Sequence, residues 1–129
     1  MSYYLWLDDD RAIPTNTVNE WVRAKNMAEF KEVLAKRGLP RYVSFDMDLN
    51  EKHYHGDYSD GKTGLDCVQY LLTMLQLKVS QDGYHPTVYY GVHSMNRPQS
   101  NLAMLKLSKM LGHDTYCYYT DLATLPPPS

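Results

Sequence analysis

Short apolar runs, each closed by polar residues, alternate along this chain with segments of helical period, and no other feature constrains the fold as strongly. Tyr3-Tyr4-Leu5-Trp6-Leu7 has no 3.6-residue pattern and reads as a buried strand ended by Asp8, Asp9 and Asp10. Pro14 disfavours a helix at Ile13, so the next stretch reads as a loop. Glu20 to Lys25 alternates as a second strand, with Trp21, Arg23 and Lys25 on one face. Asn26, with Glu29 three residues on, starts a helix whose stripe is Met27, Phe30, Val33 and Leu34; Gly38 ends it and Pro40 prevents a restart. Tyr42-Val43-Ser44-Phe45 is a third strand that runs into Asp46 and Asp48.

The polar stretch Asn50 to Lys62 is long for a connection and reads as a functional loop. Leu65, Val68, Leu71, Leu72 and Leu75 mark the next helix, and Gln81-Asp82-Gly83 is a turn signal. Thr87 to Val92 is a fourth strand ending at His93 and Ser94. Pro98 fits the first turn of a helix carrying Ala103, Leu107, Met110 and Leu111, closed by Gly112. Thr115 to Tyr119 reads as a fifth strand with no helix after it. Alternation of this kind predicts an α/β fold with parallel strands and helical crossovers, and the continuous apolar strands agree. The connection after the first strand is too short for a full helix.

With 129 residues, the chain suits one domain, expected over residues 1–122, followed by a Pro-rich disordered tail at 123–129. Its formal charge of −2 disfavours a long DNA duplex as partner. No apolar stretch is long enough for a membrane span, and the start lacks a signal-peptide core. Two cysteines, Cys67 and Cys117, exclude a disulfide scaffold and fit a cytoplasmic location; both read as small buried hydrophobes. The twelve tyrosines have no functional account from composition.

In an open parallel sheet, the carboxyl ends of the strands share one edge, where ligands bind. Asp8, Asp9, Asp46 and Asp48 would gather there with His93, Ser94 and Asn96. Converging carboxylates repel, and a hard divalent cation, Mg²⁺ or Mn²⁺, resolves this. Asp8, Asp9, Asp46 and Asp48 are the expected ligands; Asp10, third in a row, reads as pointing away. Ser94, Asn96 and Arg11 would hold phosphate oxygens, and His93 would move a proton. Each has a plainer alternative: a cap for Ser94 and Asn96, a packed histidine for His93, a surface ion pair for Arg11. His53, His55, Asp57 and Asp60 form a weaker candidate for a transition metal. No GxxxxGK[ST] is present, which excludes a P-loop NTPase.

These residues resemble the cyclic-phosphate processing receiver-like domains, a divergent branch of the response-regulator receivers. Leu7-Asp8-Asp9-Asp10-Arg11 with Pro14 is similar to the family's L-D-D-x-R and proline. Trp21 to Lys25 lies where the family has a Trp-containing second strand. Ser44-Phe45-Asp46-Met47-Asp48-Leu49 is similar to S-[FL]-D-H-D-L, with Met47 in place of His; Val92-His93-Ser94-Met95-Asn96 is similar to V-H-S-x-N. Asp60-Gly61 matches a D-G pair, and Asn101-Leu102 approximates an Asn-Met pair. The resemblance implies a flavodoxin-like, receiver-like three-layer sandwich. Its five-stranded parallel sheet would run in the order 2-1-3-4-5, with the first and last helices reduced or missing. It implies Asp8, Asp9 and Asp46 as Mg²⁺ ligands, Asp46 as the phosphoryl-accepting position, Ser94 as the receiver Ser/Thr, and Asn101 as a further substrate contact. The lysine that receivers carry after the fifth strand is absent; Tyr119-Thr120-Asp121 stands there. Metal-dependent hydrolysis of a cyclic phosphate or related phosphoester, in a nucleotide, a phosphorylated small molecule or an RNA end, is the expected function, with RNA repair or nucleotide signalling as setting. The alternative is a pseudo-receiver that sequesters such a ligand without chemistry, or binds a protein, as a homodimer through Tyr116, Tyr118 and Tyr119 on an uncovered edge.

Overall fold

The computed structural model describes residues 3–13, 20–83 and 86–118. Pro14, Tyr119 to Asp121 and the tail at 123–129 lie outside the described residues. The elements are β1 (Tyr4–Leu7), β2 (Trp21–Ala24), α1 (Met27–Arg37), β3 (Tyr42–Phe45), α2 (Glu51–Tyr54), α3 (Gly64–Asp82), β4 (Tyr89–Val92) and α4 (Arg97–Leu111). All strand pairs are parallel, in the order β2-β1-β3-β4.

Local chemistry sets the boundaries. Asn26 caps α1 by accepting the Glu29 N–H at 2.9 Å, and Glu29 reaches back to the Lys25 N–H at 3.0 Å. Gly38 ends α1 at φ 78°, a conformation that costs glycine little. Thr63 and Asp66 form a reciprocal capping box at the start of α3. Pro98 falls in the first turn of α4, behind the Asn96 cap. The stretch 50–62 is not plain loop: Asn50 caps the one-turn helix α2.

Side-chain alternation gives the sheet two unlike faces. Leu5, Leu7, Ala24, Val43, Phe45 and Tyr90 point to one side and join Phe30, Leu34, Leu71, Leu75 and Leu107 in the core. α1, α3 and α4 touch one another in a row over that face. Tyr4, Trp21, Tyr42 and Tyr89 line the other face and pack by their rings. This is where several of the tyrosines go. Among the described residues the helices therefore make one layer, not the two of the expected three-layer sandwich.

The expected fifth strand is also corrected. The chain leaves α4 at Gly112 and makes a 3₁₀ turn over His113–Thr115. Only Tyr116 then bridges, in parallel, to Tyr90. Thr115 Oγ1 and the Tyr90 hydroxyl both donate to the Gly112 carbonyl at 2.8 Å and hold that turn. The sheet proper thus has four strands among the described residues. No helix among them is long and apolar enough to cross a membrane.

Candidate metal and phosphate site

Strand register builds the site. Leu7 pairs with Phe45 and Phe45 with Val92, so Asp8, Asp46 and His93 are the next residues in one row across β1, β3 and β4. The ladder continues into them: the Asp46 N–H donates to the Leu7 carbonyl at 2.9 Å, and the His93 N–H to the Phe45 carbonyl at 3.0 Å. One ligand atom from each of the three side chains lies within 4.8 Å of the others. Asp8 and Asp46 are both buried.

Asp8 is held as an anion. Its Oδ1 accepts the N–H groups of Asp10 and Arg11 at 2.8 and 2.9 Å. Its Oδ2 meets His93 Nε2 at 2.9 Å. Burial pushes its pKa up, but the His93 contact and the two backbone donors outweigh that and hold the carboxyl at about 2. Asp46 goes the other way. Burial first, then the Asp8 charge, raise it to about 7, against the pull of Arg11 and a hydrogen bond from Ser94. The two carboxyls are therefore pushed apart: near neutrality Asp8 is ionised, and Asp46 is the one that takes up a proton.

His93 is locked. Its ring stacks on Trp6 with centroids 3.9 Å apart and 5° between the planes. Its Nδ1 lies 2.7 Å from Ser44 Oγ. With Nε2–H donated to the Asp8 carboxylate, Nδ1 accepts from the Ser44 hydroxyl. Burial, first among the causes, lowers its pKa, so the ring is neutral at physiological pH. The segment that leaves β1 is held at Asp8 and Arg11. Arg23 donates to the carbonyls of Asp8 and Arg11, and Trp6 Nε1 also donates to the Arg11 carbonyl. Arg11 is thereby extended across the edge, where its guanidinium donates to the His93 carbonyl.

A cleft of about 430 Å³ opens at Asp46, lined also by Arg11, Asp48, Tyr54, Ser94 and Asn96 among others. Ser94 Oγ donates to Asp46 and accepts the Asn96 N–H at 3.1 Å. Asp9 stands at the rim, outside the three-residue group, and accepts the Tyr54 hydroxyl at 3.1 Å. Burial and the surrounding carboxylates keep that phenol protonated. Asp10 is exposed. Asn96 is committed elsewhere: its amide donates to Asp48 at 3.0 Å and to the Tyr58 hydroxyl at 2.6 Å, and its carbonyl oxygen caps α4. Asn101 does not line this cleft; it lies in a neighbouring one.

The His53/His55 alternative does not form. His53 is buried, accepts the Leu49 N–H on Nδ1 at 2.9 Å and meets Asp60 through Nε2 at 2.9 Å. His55 is exposed beside Glu51. Asp60 in turn takes the Lys62 N–H, so His53 and Asp60 clamp the 49–62 segment. Cys67 is buried in the core and its thiol is pushed up by burial, consistent with an inert side chain. Cys117 is half-buried. Met47 is fully buried in the core.

A family model, the cyclic-phosphate processing receiver domain, matches residues 3–109. The chain belongs to this family. No curated protein and no solved structure matches it. The matched stretch includes the acids after β1 and β3 and the His-Ser pair after β4. Sequence reasoning missed Trp6, Ser44, Arg23, Tyr54 and Tyr58. Ser44, a polar residue inside an apolar strand, was the readable signal, because a buried hydroxyl needs a partner.

Proposed function

We propose that this protein hydrolyses a cyclic phosphate carried by a nucleotide or an RNA end, with a divalent cation, Mg²⁺ or Mn²⁺, held by Asp8 and Asp46. The observation that carries the reading is the buried Asp8–Asp46 pair, one carboxyl at about 2 and the other at about 7, whose Asp46 member lines a cleft with Arg11 and Ser94. Such a pair lacks positive charge. Hard oxygen donors of this kind suit Mg²⁺ or Mn²⁺, with Asp9 and Asp48 at the rim able to act through water. Bound there, the cation would supply Lewis acidity toward a phosphoryl oxygen.

The chain's own residues divide the remaining work. Arg11 and Ser94 hold the non-bridging oxygens and stabilise the charge that builds in the transition state. Asp46 faces the cleft and accepts the proton of the attacking water. The water oxygen bonds to phosphorus as one ring P–O bond breaks. The proton taken up by Asp46 passes on to the leaving oxygen, and a phosphate monoester results. His93 does not fill the proton-donor role expected of it: both ring nitrogens are occupied, and it serves to position Asp8. Asn96 does not serve as a phosphate ligand, being bonded to Asp48 and Tyr58.

That same locking of His93 favours a second reading, in which the cleft binds a phosphorylated nucleotide without turning it over. Incubation with 2′,3′- and 3′,5′-cyclic nucleotides and cyclic oligonucleotides, with and without Mg²⁺ or Mn²⁺, decides. Metal-dependent ring opening, lost in Asp46→Asn, is expected. Tight calorimetric binding with ligand recovered unchanged selects the second reading. No turnover and no binding refutes the reaction, and full turnover by Asp46→Asn refutes the role given to Asp46.

A further inference from the structure

A second cleft of about 390 Å³ adjoins the acidic one, and Ser94 and Met95 line both. Its walls come from α4 and from the segment after the 3₁₀ turn: Arg97, Ser100, Asn101, Met104, Tyr116 and Tyr118. The Tyr116 and Tyr118 rings meet edge to face, 5.1 Å apart at 73°. Tyr118 is nevertheless 56% exposed, and Met95, between the clefts, is 85% exposed. Exposed aromatic and thioether surface of this kind on a small domain marks a contact surface. The polar side chains of the same walls are unspent. Ser100 Oγ is buried with no hydrogen-bond partner among the described residues. The Asn101 amide is exposed, and Arg97 makes no ion pair with the described residues.

A phosphate or a bare sugar phosphate has no use for such a wall. A nucleobase does, because it offers a flat π face for stacking and a polar edge for an amide or a guanidinium. We infer that the second cleft is a base subsite: it takes the nucleobase of a nucleoside cyclic phosphate, stacked on Tyr118 with its edge toward Asn101 and Arg97, while the phosphate reaches Arg11 and Ser94 past Met95. The inference rests on the proposed function for the position of the phosphate. It deepens it by giving the base a binding site of its own, so that cyclic phosphates of plain sugars or polyols are poor ligands.

The test reads binding, not turnover. The fluorescent probe is 2-aminopurine riboside 2′,3′-cyclic phosphate, whose emission is quenched on stacking. Ribose 2′,3′-cyclic phosphate, which has no base, is the competitor. The nucleotide should bind at least about tenfold more tightly than the sugar, with quenching. Tyr118→Ala should remove most of that advantage and leave the affinity for the sugar unchanged; Tyr118→Phe, which keeps the ring, should restore it. Tyr118 is exposed, so neither change threatens the fold. Equal affinity for the two compounds, no binding of the nucleotide, or a Tyr118→Ala protein that still prefers it, overturns the base subsite. Failure of every ligand to be hydrolysed counts against the reaction alone.

Discussion

Asp46→Asn should stabilise the metal-free protein, and by an amount that depends on pH. Burial and the neighbouring Asp8 charge raise the Asp46 carboxyl from 3.8 to about 7 in the folded chain. The folded state therefore holds a proton that the unfolded state releases between those two values. This contribution favours folding fully below pH 3.8, declines as pH rises, and is lost above about pH 7. Ionising Asp46 in place amounts to roughly 4 kcal/mol at about 1.4 kcal/mol per tenfold change. Water in the cleft screens part of this, so a gain of about 1–3 kcal/mol at pH 8 is expected for the asparagine, which keeps the shape and drops the charge. At pH 5 the gain should shrink to less than half, because the wild-type carboxyl is then protonated in the fold. Urea unfolding with EDTA present, at both pH values, measures this. An Asp46→Asn protein no more stable than wild type at pH 8, or equally shifted at both pH values, would refute the claim that burial and the Asp8 charge raise the Asp46 carboxyl in the folded state.

Other expectations follow from single contacts. A Cβ on Gly64 would collide with the backbone of Asp46 and Met47, where the Gly64 N–H donates to the Met47 carbonyl at 2.9 Å. Gly64→Ala should cost about 1–3 kcal/mol in urea unfolding and displace the end of β3; a neutral result would contradict that close approach. Ser44→Ala strands His93 Nδ1 without a donor in a buried place, at a cost of about 1–3 kcal/mol by the same assay. His53→Ala leaves the Leu49 N–H and Asp60 without their shared partner, so hydrogen exchange should accelerate across 49–62 and not in α3. Uniform exchange across both would deny His53 its clamping role.

The parts of this fold that follow local rules could be read directly from the chain. Asn26, Glu29 and Gly38 bound α1 because caps and left-handed glycines act within a few residues. The acids at positions 8 and 46 could be placed at one edge because parallel strands share their carboxyl ends. What escaped was settled by contacts far apart in sequence. Tyr116 to Tyr118 has strand-forming residues, yet the 3₁₀ turn before it and the Tyr42 hydroxyl bonded to the Cys117 carbonyl leave a single bridge. Helix α2 is one turn long, too short for any period to show. His93 looked like a free acid–base group because Trp6, Ser44 and Asp8, which occupy it, lie 49 to 87 positions earlier. Asn96 looked like a phosphate ligand for the same reason, its partners Asp48 and Tyr58 being distant in sequence.

Titration of the protein with Mn²⁺, followed by the loss of the free ion's electron paramagnetic resonance signal, tests the metal-binding pair most directly. The account predicts one bound ion per chain at pH 8 and affinity weakened about tenfold or more by Asp8→Asn and by Asp46→Asn, while Asp10→Asn binds as wild type does. Absence of bound Mn²⁺ at millimolar ion, or equal binding by all four proteins, would contradict it.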